Sequence, residues 1–304
     1  MTAKTHRLRE LLASGEFLYM PSAATPLEGR LAEAAGTPLV YTGGYVSGAS
    51  RAITEPLLTM DEQVRIAGEV ARAVGVPLIA DAGAGFGEPL HTMRTVREFA
   101  AAGVAGIHIE DQLYPKRAHY HAYQVHAIPL ADFVAKIKYA CLQRDETDPD
   151  FVIIARSDTC REFGLDEAML RINAAAEVGA DLGLVFPRNR EEAEAAPRLA
   201  SVPLVWVQSR GNRDGRPILS LGDLKAMGYR GCIDAQILLG VALHAMKQAL
   251  GEIIETGSYS GLSDAEFTAL RQEIEDLIGL DAYYRIEAET VEAASPLAAI
   301  PAAR

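Results

Sequence analysis

The sequence predicts an α/β chain folded as an eight-stranded (β/α)8 TIM barrel with additional C-terminal helices. Three observations carry that prediction. A phrase of Ala- and Glu-rich amphipathic helix, then Gly, often Pro, then a short Val, Ile and Leu run recurs as LAEAAGTPLVYTGG, VARAVGVPLIADAG, FAAAGVAGIHIED, AAAEVGADLGLVFP and LKAMGYRGCIDA. The runs PLIAD, GIHIED, FVIIAR and PLVWVQ are continuously apolar, as strands of a parallel sheet covered on both faces must be. Adding FLYM beside Glu16 and the runs ending at Thr42, Pro187 and Asp234 brings the count to eight strands, which favours a barrel over a doubly wound sheet.

Each repeat is helix, turn and buried strand for a local reason. Val64, Ala67, Ala71 and Val74 recur at the three-to-four spacing of a helix that packs one face on a sheet. Gly36, Gly75, Gly103, Gly179 and Gly228 follow the helical stretches, where a C-cap calls for left-handed backbone. Pro38, Pro77 and Pro203 then exclude further helix. Beyond Asp234 the pattern changes to one long helix, AQILLGVALHAMKQALGEIIET, a break at GSYSG, and a second helix opening at Ser263 with Glu266 as its capping box. The chain is therefore expected to form a single domain, 1–304, with the barrel over about 15–255, a helical extension over about 256–290 and a flexible tail over 291–304.

With 49% hydrophobic and 23% charged residues, the 304-residue chain is built for a large core. Its 29 Lys and Arg against 41 Asp and Glu leave a net charge of −12, which repels nucleic acid and anionic membranes alike. No apolar run follows the opening MTAKTHRLRE, and no later window reads as long and uncharged enough to span a bilayer, so a cytoplasmic location is expected. Cys141, Cys160 and Cys232 stand far apart in no metal or redox spacing, and read as reduced packing residues.

Barrel chemistry sits where strands end, and these ends are polar. Thr42, Gly43 and Gly44 end strand two and offer backbone amides to an anion; Asp81 ends strand three and Glu110 strand four; Arg156 ends strand five and Gln208 strand seven. Carboxylates on neighbouring strands suit a hard cation, so Asp81 and Glu110 are the metal candidates; one alone would read as a cap of the following helix. Arg156 either receives a substrate carboxylate or pairs with Asp158 or Asp111. The loop PKRAHYHAYQVH concentrates Lys116, Arg117, His119, Tyr120 and His121, a set able to close over substrate and move a proton, or, for the histidines, simply to be solvated.

The segments SAATPLEGRLAEAAGTPLVYTGG, PLIADAGAGFG, GIHIEDQLYPKR, VIIARSDT, GLDEAMLRINAAAEVGAD and GYRGCIDA, in this order and spacing, resemble the isocitrate lyase and phosphoenolpyruvate mutase superfamily over nearly the whole chain. The resemblance implies an enzyme with a (β/α) barrel, Mg²⁺ (or Mn²⁺) as cofactor, a 2-oxo acid enolate as intermediate, and a homotetramer, a dimer of dimers that exchange the last barrel helix. It also implies substrate-binding backbone at Thr42, Gly43 and Gly44, metal-site acids at Asp81 and Glu110, a carboxylate clamp at Arg156, and the basic pair that opens the lyases' catalytic loop at Lys116 and Arg117. The sequence departs from the pattern in four places. Ala118 stands where lyases carry a catalytic Cys, with His121 displaced by one residue; Gly83 replaces a second metal-site acid; Arg188 replaces a glutamate after strand six; and Gln208, Ser209 and Arg210 replace the stretch after strand seven.

These features lead to a Mg²⁺-dependent carbon–carbon lyase acting on a hydroxy di- or tricarboxylate, with His121, His119 or Tyr120 moving the proton that a thiol handles elsewhere. Arg188 and Arg210 are expected to recognise an additional anionic group. A decarboxylase or hydrolase of an oxaloacetate-like 2-oxo acid is the enzymatic alternative, and a metabolite-binding protein without turnover the third. Partners are expected to be a small anionic acid and further copies of the chain.

Overall fold

The computed structural model describes residues 2–293; most of the tail expected over 291–304 lies outside the described residues. Contacts divide the chain into two compact units, the first ending at Val241 and the second beginning at Ala242. The first unit holds eight strands: β1 (Leu18–Pro21), β2 (Val40–Thr42), β3 (Leu78–Asp81), β4 (Gly106–Glu110), β5 (Val152–Ser157), β6 (Leu182–Val185), β7 (Leu204–Gln208) and β8 (Gly231–Asp234). They form one parallel sheet in the order β1-β8-β7-β6-β5-β4-β3-β2. The ends of that order meet through a single Ser22–Tyr41 bridge, with the Ala23 amide donating to Tyr41 O at 2.8 Å, so the eight strands make a nearly closed barrel.

Ten helices precede the last strand or lie beside the sheet: α1 (Ala3–Ala13), α2 (Pro26–Ala34), α3 (Gly44–Ala49), α4 (Met60–Ala73), α5 (Pro89–Ala101), α6 (Leu130–Thr147), α7 (Cys160–Phe163), α8 (Leu165–Glu177), α9 (Arg190–Leu199) and α10 (Leu221–Met227). Strand side chains alternate between two cores. On β5, Ile153 and Ala155 join the apolar layer between strands and helices, while Val152 and Ile154 face the barrel interior with Ile79, Leu184, Val205 and Ile233. Leu8 and Leu11 of α1 close that interior at its N-terminal end, and Arg9 donates to the carbonyl of Phe151 at 2.8 Å. The bottom of the barrel is thus plugged, and the site is left to the other rim.

The capping glycines behave as the repeats predict at Gly36, Gly103, Gly179 and Gly228, all with positive φ. Gly75 does not. There α4 ends at Val74 in extended backbone, and the Gly75 amide donates to Glu33 Oε1 at 2.8 Å, so a side chain rather than a left-handed turn satisfies the helix end.

The second unit is helical. The helix α11 (Ile237–Thr256) begins in the first unit and runs into it, followed by α12 (Asp264–Ile278) and α13 (Leu280–Glu289). The Ser263–Glu266 capping box forms as predicted, but the single helix expected after it breaks at Gly279, which takes φ +73°. A second correction concerns α11. Its 20 residues are long and apolar enough to cross a membrane by length and composition, contrary to the sequence expectation, and none of them is buried within this chain.

Candidate active site

Parallel pairing sets the site. Asp81 lies opposite His108, and Glu110 opposite Arg156, so two acids, an imidazole and a guanidinium from three adjacent strands end side by side on the C-terminal rim. Asp81 is 5% exposed and accepts two amides, Gly44 N at 3.0 Å on Oδ2 and Gly83 N at 2.8 Å on Oδ1. Gly83 takes φ +50°, the tight turn that lets its amide fold back onto the carboxylate two residues earlier. His108 Nδ1 is 3.6 Å from Asp81 Oδ1, and its Nε2 shares a 2.6 Å hydrogen bond with the Tyr41 hydroxyl.

Glu110, fully buried, sits between two cations: Lys116 Nζ at 3.0 Å from Oε1 and Arg156 Nη2 at 3.2 Å from Oε2. Lys116 also pairs with Glu55. Arg156 is held on several sides, by Asp158 through Nε at 3.1 Å and Nη2 at 3.2 Å and by the Tyr120 hydroxyl at 2.5 Å. Its Nη1 is less engaged, 3.9 Å from Asp81 Oδ2. The guanidinium therefore makes the ion pair with Asp158 and also faces the cavity, while Asp111 is taken instead by Ser157 Oγ at 2.6 Å and the Asp158 amide at 3.0 Å.

Above this cluster opens a cavity of about 750 Å³, lined by Gly43, Gly44, Asp81, Arg156, Tyr120 and His121 among others. The loop after β4 forms part of its wall. A Gln112–Ala127 bridge and the Leu113 amide to His126 O, 2.7 Å, tie the base of that loop together. Lys116 reaches down to Glu110 and Glu55, and its Nζ lies 4.0 Å from the Tyr120 ring centre. His121 Nε2 is 3.0 Å from Thr54 Oγ1.

Six of the predicted residues stand elsewhere. Thr42 turns off the cavity and donates to Ala23 O at 2.9 Å. Gln208 is one residue out of phase with the inward Val207, and it binds Leu219 O at 2.6 Å and Trp206 Nε1 at 2.9 Å in the strand–helix layer. Arg188 pairs with Glu192 of its own turn, and Arg210 with Asp234 at 3.2 Å, both away from the cavity lining. Arg117 and His119 are exposed and do not line the cavity. In their place the cavity receives residues that strand-end reasoning passed over: Glu55, Tyr41, His108, Arg161, Arg213 and Arg216. His108 had a signal, because two residues before Glu110 on a strand it shares that residue's face.

The charges are strongly tuned. Burial works against ionised Asp81, but His108, Arg156 and Lys116 and the Gly83 amide hold its carboxyl well below the ordinary range. Burial likewise opposes ionised Asp158, which Arg156 and then Arg161 hold down at about 2. Glu110 is pushed up, first by its burial, with Lys116 and Arg156 pulling back. Lys116 stays protonated despite burial because Glu110 and Glu55 face it. Burial lowers His121 below 6.5 and His108 to about 4, so both imidazoles are neutral at pH 7. Burial raises Tyr120, which keeps its hydroxyl proton.

No thiol lines the cavity among the described residues; Cys160 is buried, its Sγ 3.5 Å from Glu192 Oε2, and burial pushes it up to about 12. Nor do three or more His, Cys, Asp or Glu side chains converge on one point among them, so no cage made of protein alone is present. A hard cation such as Mg²⁺, which keeps waters and takes one or two carboxylates plus substrate oxygens, still fits Asp81, an ionised acid on the cavity wall. Glu110 fits less well, since Lys116 and Arg156 already engage it.

Comparison with known proteins finds relatives along nearly the whole chain. The 2,3-dimethylmalate lyase of Eubacterium barkeri is 34% identical over 285 residues, spanning 92% of this chain and 96% of that protein. The structure of oxaloacetate acetylhydrolase in complex with 3,3-difluorooxalacetate superposes with a TM-score of 0.87 at 29% identity, covering 94% of this chain and 97% of that one. That of phosphonopyruvate hydrolase with oxalate and Mg²⁺ superposes at 0.83 with 28% identity, covering 95% and 100%. These relatives are lyases and hydrolases named for carboxylate compounds. The family model described as phosphoenolpyruvate phosphomutase matches residues 8–254, and the chain belongs to that family.

Proposed function

We propose that this protein is a carbon–carbon lyase that cleaves a hydroxy di- or tricarboxylate, its hydroxyl-bearing carbon becoming the carbonyl of a released 2-oxo acid and the departing fragment leaving through its enolate. The observation that carries the reading is the rim cluster itself: Asp81, Glu110, Lys116 and Arg156 interlocked beneath a cavity whose wall holds a neutral imidazole and a protonated phenol. Bound at Asp81, Mg²⁺ would supply Lewis-acid stabilisation of the oxyanion that develops on cleavage. The chain's own residues do the rest. Arg156 orients a substrate carboxylate through Nη1, and the Gly43–Gly44 backbone lines the same space, with the Gly44 amide holding Asp81 in place. His121, neutral and partly covered, takes a proton from the substrate hydroxyl; Tyr120, hydrogen-bonded to Arg156, returns one to the departing carbon.

Incubation with Mg²⁺ and a panel of hydroxy di- and tricarboxylates and oxaloacetate tests this directly. Release of pyruvate or glyoxylate together with a second acid or aldehyde supports the lyase. The likeness to oxaloacetate acetylhydrolase favours a second reading, hydrolysis or decarboxylation of an oxaloacetate-like acid, in which the same incubation with oxaloacetate yields acetate and oxalate, or pyruvate and CO₂ without a further acid or aldehyde. Turnover of no acid in the panel rejects both. We further propose that the uncovered apolar residues of α11, among them Leu243, Met246 and Leu250, each more than half exposed, are buried between copies in a homo-oligomer. A monomeric mass in solution would reject this.

A further inference from the structure

Outside the rim cluster the cavity carries a second concentration of charge. Four guanidinium groups line it, Arg156, Arg161, Arg213 and Arg216, against only two carboxylates, Glu55 and Asp81. Arg161 extends from α7, just past β5, and its side chain is 8% exposed, yet its Nε and Nη1 have no hydrogen-bond partner. Its nearest acid is Asp214, 3.7 Å away, whose Oδ2 already accepts Arg216 Nε at 2.7 Å. One carboxylate therefore serves two enclosed guanidinium groups. The charge of the Asp158 carboxylate, which makes no bond to the Arg161 guanidinium, and aromatic faces supply the further stabilisation. The Arg161 guanidinium lies 4.8 Å from the Phe186 ring centre, 5.0 Å from Tyr120 and 5.2 Å from Tyr123, while Arg216 lies 4.8 Å from the same Phe186 ring. Rings hold a cation but accept none of its in-plane N–H bonds. A buried donor left in that state is costly, and an incoming carboxylate relieves it with paired, charge-assisted bonds.

We infer that Arg161 and Arg216, packed on Phe186, form a second anion subsite that receives the distal carboxylate of the substrate. This rests on the proposed reading of an acid with more than one carboxylate, and deepens it. Arg156 also stands over Phe186, at 4.9 Å, but its Nε and Nη2 are committed to Asp158, Glu110 and Tyr120. The two sites therefore divide the work: Arg156 and Asp81 take the reacting end, and the freer fork of Arg161 takes the far end. The subsite selects for acids long enough to bridge both, and a short acid such as oxalate engages only the first.

The test compares oxalate with propane-1,2,3-tricarboxylate, a longer acid without the hydroxyl that cleavage requires, by titration calorimetry in the presence of Mg²⁺. In Arg161→Gln and Arg216→Gln the affinity for the tricarboxylate should fall about tenfold or more relative to that for oxalate, as expected for loss of one bidentate charged contact. Arg161→Lys, which keeps the charge and loses the fork, should fall between the two, and thermal unfolding reports whether each variant is folded. An unchanged ratio in the folded variants, an equal weakening of both acids, or a wild-type protein that binds the tricarboxylate no better than oxalate would each overturn the subsite. Failure of the lyase reading shows separately, as the absence of 2-oxo acid release by the wild-type protein whatever the ratio.

Discussion

Replacing Arg156 by lysine tests the centre of the site, because the two side chains share a charge and differ in geometry. The guanidinium makes two bonds to Asp158, at 3.1 and 3.2 Å, one to Glu110 at 3.2 Å and one to the Tyr120 hydroxyl at 2.5 Å, with only 5% of the residue exposed. An ammonium on a shorter reach keeps at most part of this set, and it cannot span Asp158 with a planar fork. Losing two charge-assisted bonds in an enclosed site, each worth about 1.5–3 kcal/mol, sets an expected loss of roughly 3–6 kcal/mol, with the retained charge favouring the lower end. The same change removes the clamp from the cavity. Oxalate affinity in the presence of Mg²⁺ should fall about 100-fold for each ~2.8 kcal/mol carried by the contact with the ligand. Urea unfolding measures the first effect and calorimetry the second. If stability falls and oxalate binding holds, Arg156 is a structural ion pair and no clamp; if neither moves, the interlocked cluster does not hold the site together.

Four further changes probe the remaining parts. Asp81→Asn keeps the shape but removes the ionised oxygens, so Mg²⁺-dependent oxalate binding should be lost; binding that still responds to Mg²⁺ would place the ion elsewhere. With His121 as a base, kcat/KM should hold below pH 6.5, because burial lowers the imidazole, and should fall only as pH drops through that lowered value. His121→Gln should abolish that acid limb, and a rate that instead falls as pH rises would make His121 an acid. Cys160→Ala should leave kcat/KM within about twofold and cost about 1 kcal/mol of stability, since the thiol is buried off the cavity; a loss of turnover above tenfold would bring back a thiol mechanism. Gly231→Ala would press a methyl group against the Leu18 carbonyl where β1 meets β8, and should destabilise by roughly 1–3 kcal/mol in thermal unfolding; an unchanged melting temperature would show that the strands can shift apart.

What could be read in the residues and what could not divide along a physical line. The barrel was legible because parallel strands buried on both faces leave uninterrupted apolar runs, and runs such as FVIIAR and PLIAD became β5 and β3 with their polar ends on one rim. The convergence of Asp81, Glu110 and Arg156 followed from adjacency in the sheet, since Glu110 and Arg156 are register partners. Sidedness at a strand's last residue was harder. Because side chains alternate, Gln208 and Thr42 each sit one position out of phase with a cavity residue, Val207 and Tyr41, and a one-residue offset sends the side chain to the other layer. Counting by twos from Glu110 finds His108 on the same face, so that information was present and unused. Loops carry no such period. Arg188 and Arg210 were as plausible in sequence as Arg161 and Arg216, yet the first pair meets Glu192 and Asp234 outside the cavity and the second pair meets Phe186 inside it. Which arginines line the cavity beside Arg156 was set by loop paths on which hydrophobic periodicity is silent.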